Sequence, residues 1–263
     1  MRGNAGNRID MSPAGPWGAP TPEPINPPPR PSYPIAGNRR RSLSVAFFVL
    51  MVLGLGIRAY RDLSRPDAWA YWKELYFSPS MHSQPIASAD LDGSGRGRPA
   101  LAIGGTIGAA TASWFRDRLD EAHLAAGDMV VMSSPGGDLD QAMIMGEIIR
   151  SRGLATAVGV VDAAGRIKPS YCASACVLVF AGGKIRFGVE GSALGVHRFV
   201  TSTPGRDPVA ETQRTAGTVL SYVTKMGVSP AIVEAMSETR EVRWLGAQQA
   251  AAMNLITNPA PRP

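Results

Sequence analysis

Sixteen consecutive residues without a charge, Ser42–Ile57 (SLSVAFFVLMVLGLGI), follow directly on Arg39-Arg40-Arg41. A run of this composition has to leave water, either into a protein core or into a bilayer. Ala59 and Tyr60 extend it when the stem of Arg58 snorkels, and Trp69, Tyr71, Trp72, Tyr76 and Phe77 beyond it suit a membrane–water boundary. The run reads as one transmembrane anchor over residues 42–60, and it cuts the chain in two. A cleaved leader fits less well, because the A-x-A site at Ala68-Trp69-Ala70 lies 13 residues past Ile57. Arg58, Arg61, Arg65 and Lys73 nearly balance the preceding arginine triplet, and the expected orientation is tail inside, body outside the cytoplasm.

Ahead of the anchor, ten of the 22 prolines fall between Pro13 and Pro34, with few aliphatic residues to bury, so residues 1–41 are expected to be a disordered, Pro-rich tail. That tail carries six arginines against Asp10 and Glu23, which is +4 of the chain's net +6. The remainder is close to neutral and has no basic stripe, which argues against nucleic acid as a partner. Residues 61–98 read as juxtamembrane segment and linker. Within them Asp90-Leu91-Asp92-Gly93-Ser94-Gly95 looks like a calcium loop, but in that register Ser88 and Pro99 fall at the first and twelfth ligand positions, so a solvated turn is expected.

From Pro99 short apolar runs alternate with helical periodicity. ALAIGG (100–105), DMVVMSS (128–134) and LATAVGVV (154–161) are expected strands, and TASWFRDRLDEAHLAAG (111–127) and DLDQAMIMGEIIRSRG (138–153) expected helices. This is the pattern of a layered α/β domain. GGTIGAA (104–110) lacks G-x-G-x-x-G spacing, so it reads as close helix–strand packing rather than a dinucleotide loop.

Three further segments come in a telling order: SSPGGDLDQA (133–142), CASACVLVFAGG (172–183) and LGVHRF (194–199). Together they resemble the Clp protease proteolytic subunit family and its ClpP/crotonase relatives, over roughly Ala100–Thr257, and most closely the membrane-associated or periplasmic branch. The resemblance implies repeated β-β-α units in a peptidase domain over 99–258, preceded by one transmembrane helix and a disordered tail, with 259–263 a short terminal tail. It implies Ser174 as nucleophile, His197 as base, and the amides of Gly136, Gly137 and Ala175 as an oxyanion hole. In REVRWLGAQQAAAMNLIT (240–257) the family expects an aspartate where this chain has Val242.

The residue types suit those roles on their own chemistry. A serine needs a base within hydrogen-bonding reach, and His197 is the histidine placed for it, since His123 sits in a charged, solvated helical stretch. Ala173 and Ala175 leave room for a tight strand-to-helix turn at Ser174, and a Pro-Gly-Gly turn lets backbone amides approach a tetrahedral oxyanion. A triad also needs a group to hold the imidazole. Glu241 is one candidate, although strand alternation turns it to the opposite face from Val242; Glu238, Asp207 and a backbone carbonyl are others. Lys184 lies in an ordinary turn. Cys172 and Cys176, the chain's two cysteines, sit four apart around the turn, close enough for a disulfide in an oxidising compartment; two buried thiols are the alternative. DAAGRIKPSY (162–171) is expected to rim the cleft.

The sequence thus points to a membrane-anchored serine peptidase acting on a peptide or protein substrate, without cofactor or metal, and able to form a homo-oligomer. The rival is a catalytically inactive member using the same fold as a binding or assembly module. A third reading, acyl-CoA chemistry, keeps the oxyanion amides but has no use for the Ser-His pair.

Overall fold

The computed structural model describes residues 37–91, 93–95, 97–199 and 207–259. The expected disordered tail, up to residue 36, and the last four residues lie outside them. The chain divides into two units, 1–56 and 57–263. Helix α1 (Gly37–Leu63) starts in the first, five residues before the expected anchor. Its segment Ser42–Leu63, 22 residues that include an 18-residue stretch of mean hydropathy 2.0, is long and apolar enough to cross a membrane, and Phe47, Phe48, Leu50 and Leu55 are all exposed.

The second unit opens with α2 (Pro66–Tyr76), whose Pro66 suits a first helical turn. Two strands follow, β1 (Met81–Ala89) and β2 (Arg98–Gly105), then α3 (Thr111–Ala122), β3 (Met129–Ser133), α4 (Leu139–Ser151) and β4 (Ala155–Val158). A hairpin of β5 (Val160–Val161) and β6 (Ile167–Lys168) leads to β7 (Tyr171–Ala173), α5 (Cys176–Ala181), β8 (Arg186–Phe187) and β9 (Ala193–Val196). The chain closes with α6 (Pro208–Lys225), α7 (Ala231–Ser237), β10 (Arg243–Leu245) and α8 (Ala247–Ala252). The main sheet has the order β1-β2-β3-β4-β8, parallel except for the β1 edge, and a smaller sheet has the order β10-β9-β7. The unit is therefore a mixed α/β fold built on a parallel sheet.

The reading of 61–98 as juxtamembrane segment and linker fails at β1, which pairs with β2 from Met81↔Gly105 to Ala89↔Arg98. MHSQPIASA does not alternate cleanly because β1 is an edge strand with five exposed residues, so its sequence lacks an apolar stripe. The turn at 90–95 is as expected: Asp90 accepts from the amides of Gly93 and Gly95. In β2 and β3 successive residues serve two cores. Leu101, Ile103, Val130 and Met132 face the larger one, while Ala100, Met129 and Val131 face the smaller. Burial on both faces is why MVVM reads as a continuous apolar run.

One polar residue gathers the helix ends on which the domain closes. Arg186 is only 2% exposed. Its guanidinium donates to the carbonyls of Leu255, Gly183, Met226 and Asn254. Arg150 donates to Ala181 O and Met226 O. These carbonyls lie at or just past the C-termini of α5, α6 and α8, where backbone oxygens lack helical partners and the helix dipole is negative. Burial first, then the charge of Arg150, lowers the Arg186 pKa to about 10, so it is still cationic at neutral pH. Arg186→Met keeps the stem but orphans buried carbonyls, an expected loss of about 3 kcal/mol. Thermal melting of the full chain in detergent should fall by roughly 6–12 °C, with Arg186→Lys recovering only part, since an ammonium lacks the planar fork.

Candidate active site

β7 ends at Ala173, α5 starts at Cys176, and the turn between them puts Ser174 at φ +57. A non-glycine residue there is strained, and it persists because its surroundings fix it. The Ser174 amide donates to Gly195 O at 2.8 Å, Ala173 N to Ser134 O at 3.0 Å, and Val177 N to Ser174 O at 3.0 Å. Behind the turn every residue of α5 is buried, so this short helix forms the floor. The sulfurs of Cys172 and Cys176 are bonded, with their Cα atoms 5.3 Å apart, and both residues are buried. The bridge thus encloses the elbow, as the spacing suggested.

Beside Ser174 runs the Pro-Gly-Gly segment. Gly136 has φ +99, and a Cβ on it would lie 2.7 Å from Ser174 Cβ and 2.9 Å from Ala175 N. Only glycine permits this approach. The Gly136 amide donates to the buried Ser134 hydroxyl at 3.1 Å, so it is engaged in this arrangement. Gly137 differs. Ile107 N donates to Gly136 O at 2.8 Å and Asp138 N to Ile107 O at 2.7 Å, which directs those two groups toward Ile107. Peptide planarity then turns the Gly137 N–H to the other side, and Gly137 lines the same cavity as Ser174 and Ala175. Of the three expected oxyanion amides, those of Gly137 and Ala175 have no acceptor among the described residues. Gly136 supplies clearance.

His197 follows the last residue of β9 and lines the cavity too. Its Nδ1 lies 2.7 Å from Arg198 O. A carbonyl only accepts, so Nδ1 carries the proton and Nε2 presents a lone pair. Among the described residues no hydrogen bond joins Nε2 to Ser174 Oγ. The other candidates for orienting the ring are engaged elsewhere. Glu238 pairs with Arg243, and Asp207 caps α6 through Ala210 N. Glu241 is exposed, does not line the cavity and has no described bond to the imidazole, a correction to its expected role. β10 pairs antiparallel to β9 with Arg243 opposite Val196, so Val242 is the residue abreast of His197 and Glu241 falls on the other face. The ring's described partner is a backbone carbonyl.

The cavity has a volume of about 770 Å³. Leu139, Met143, Leu178, Phe199 and Met236 give it apolar walls, Gly108 and Ala109 form one rim, and Arg214, Thr215 and Thr218 of α6 another. Sequence reasoning missed the α6 residues; their spacing on one helical face was the available signal. The hairpin expected to rim the cleft does not reach it. Asp162 instead accepts from Ala164 N and Arg166 N, which lowers its pKa, and Ile167 joins the smaller core. Lys184 is exposed and outside the cavity, as is His123. His82, brought into the domain by β1, packs against Gly104 instead. No group of three or more metal-ligating side chains occurs among the described residues.

No family model matches the chain, and no curated protein matches it. Among solved structures it is similar to a mutant of ClpP1 from Listeria monocytogenes, at 15% identity and a TM-score of 0.45, over 60% of this chain and 88% of that one. It is also similar to a mutant of the 1510-N membrane-bound stomatin-specific protease, at 20% identity and a TM-score of 0.48, over 61% of this chain and 77% of that one.

Proposed function

We propose that residues 57–259 form a serine peptidase domain held at a membrane by α1. The observation that carries this reading is the left-handed Ser174 elbow, which shares one cavity with His197 Nε2 and with the amides of Gly137 and Ala175. His197 Nε2 takes the Ser174 Oγ proton as Oγ bonds to the carbonyl carbon of an extended peptide. The carbonyl oxygen becomes an oxyanion between the Gly137 and Ala175 N–H groups. The imidazolium then protonates the leaving amine, and water, activated by the same imidazole, releases the acyl group from Ser174. Arg198 O steadies the imidazolium through Nδ1–H, the place a carboxylate takes in a full triad. Catalytic hydrogen bonds are often open in a free enzyme and close around substrate, so the separate Ser174 and His197 are compatible with this cycle.

An outward-facing body fits the buried Cys172–Cys176 bridge, since disulfides persist in oxidising compartments. The second reading, a binding or assembly module, draws on Val242: no described carboxylate reaches the imidazole, whose described partner is Arg198 O. Self-association remains part of the proposal through the family resemblance alone.

Fluorophosphonate labelling of the full chain in detergent separates the two readings. Labelling is expected on wild type and lost in both Ser174→Ala and His197→Ala. A folded, oxidised wild type that takes no label sinks the peptidase reading and leaves the binding module. Gly136→Ala should cut the labelling rate roughly 10²-fold, on the scale of losing an oxyanion donor, because its Cβ displaces Ser174. The double variant Cys172→Ala, Cys176→Ala should lose about 2 kcal/mol of stability, read by denaturant titration. Its labelling rate should fall as well, as the elbow relaxes.

A further inference from the structure

Helix α3 starts without a cap of its own: its N-cap residue is Ala110, which has no side-chain acceptor. The acceptor comes from α2, the helix that begins three residues after α1 ends. Glu74 Oε2 accepts from Ala110 N at 3.1 Å, and Oε1 accepts from the hydroxyls of Thr111 at 2.8 Å and Ser80 at 2.6 Å. Thr111 Oγ1 in turn accepts from Gly108 N at 2.8 Å. The carboxylate rests against Gly108, where any Cβ would collide with it. A negative charge at a helix N-terminus is favourable, and here it also satisfies one of the orphan amides.

The turn so fixed is a wall of the Ser174 cavity. Gly108 and Ala109 line it, and Ile107, one residue earlier, makes the paired hydrogen bonds to Gly136 O and Asp138 N that turn the Gly137 amide inward. Thr106 N also donates to Ser80 O at 3.1 Å, so the segment linking α2 to β1 holds the other side of the same turn. An unbroken series of contacts therefore runs from α2 through Glu74 and residues 106–111 to Gly137.

We infer that Glu74 is a positioning residue for the Ser174 site, and that α2 belongs to the scaffold of the oxyanion hole rather than to a tether. This rests on reading Gly137 and Ala175 as the oxyanion donors. Loss of the carboxylate frees the Ala110 amide and the Thr111 hydroxyl, the 106–111 turn loosens, and Ile107 no longer fixes the angle of the Gly137 N–H. Ser174, His197 and the bridge are untouched. The consequence is specific: turnover suffers more than substrate binding, because the oxyanion exists only after attack.

The experiment uses the full chain in detergent, as wild type, Glu74→Ala, Glu74→Gln and, on an exposed position of the same helix, Lys73→Ala. Amide hydrogen exchange is followed over residues 105–112 and 134–139 together with melting temperature, and kcat and KM are measured on a fluorogenic peptide. Glu74→Ala is expected to speed exchange at Ile107 and Asp138 by about tenfold or more, with the rest of the domain unchanged. It should lower kcat roughly tenfold to a hundredfold while KM stays within about twofold. Glu74→Gln, which keeps one acceptor oxygen, should fall between, and Lys73→Ala should match wild type. Unchanged exchange and unchanged kcat in Glu74→Ala overturn the inference, as does a uniform rise in exchange with a lower melting temperature, which marks a merely structural role. If Glu74→Ala does not fold, Glu74→Gln decides by the same two readouts. If wild type cleaves no peptide, a local rise in exchange at 105–112 and 134–139 still supports the coupling while the peptidase reading falls, so the two failures are told apart.

Discussion

The candidate site depends on one close approach between distant parts of the chain: the backbone at Gly136 lies against Ser174 and Ala175. The segment after β3 bonds on one side to Ile107 and on the other to β7, through the bridges Ile107↔Gly137 and Ser134↔Cys172. It thereby joins the main sheet to the smaller one. Two sheets meeting this closely leave no room for a side chain at the crossing, which is why glycine stands there and why the residue opposite must turn sharply. The left-handed Ser174, the bridge around it and the inward Gly137 amide all follow from that crossing.

Polar residues far apart in sequence keep the surrounding helices in place. Arg186 and Arg150 collect carbonyls from the C-terminal ends of α5, α6 and α8, and Glu74 supplies the missing cap of α3. Each case solves the same problem, a buried helix end whose backbone groups have no partner within their own helix. The charges on these side chains match the dipole at the end they serve, cations at C-termini and the carboxylate at an N-terminus. The Glu74 stitch also holds a wall of the cavity, since Gly108 and Ala109 line it.

The imidazole illustrates how a site can differ from the pattern its sequence resembles. With Val242 abreast of His197, the ring is held by Arg198 O, a neutral dipole in place of a charge. That arrangement fixes the tautomer but offers the imidazolium less electrostatic support than a carboxylate would. On the proposed peptidase reading, more then rests on where the Gly137 and Ala175 amides stand, and so on the turn at 106–111 and the residues that brace it.

The apolar span, the α/β alternation, the Ser174, His197 and Gly137 positions that line one cavity, and the cysteine pair behind it were legible in the sequence. Those follow from local chemistry: uncharged runs, periodicity, and glycine or alanine where backbones crowd. Long-range contacts were needed to show that β1 belongs to the sheet, that Gly137 rather than Gly136 turns its amide inward, and that Glu74 braces the wall. An edge strand with polar side chains has no apolar signature, and the direction of the Gly137 amide and the partner of the Glu74 carboxylate are set by hydrogen bonds to residues far away in sequence, as Ala110 N to Glu74 at a separation of 36 illustrates.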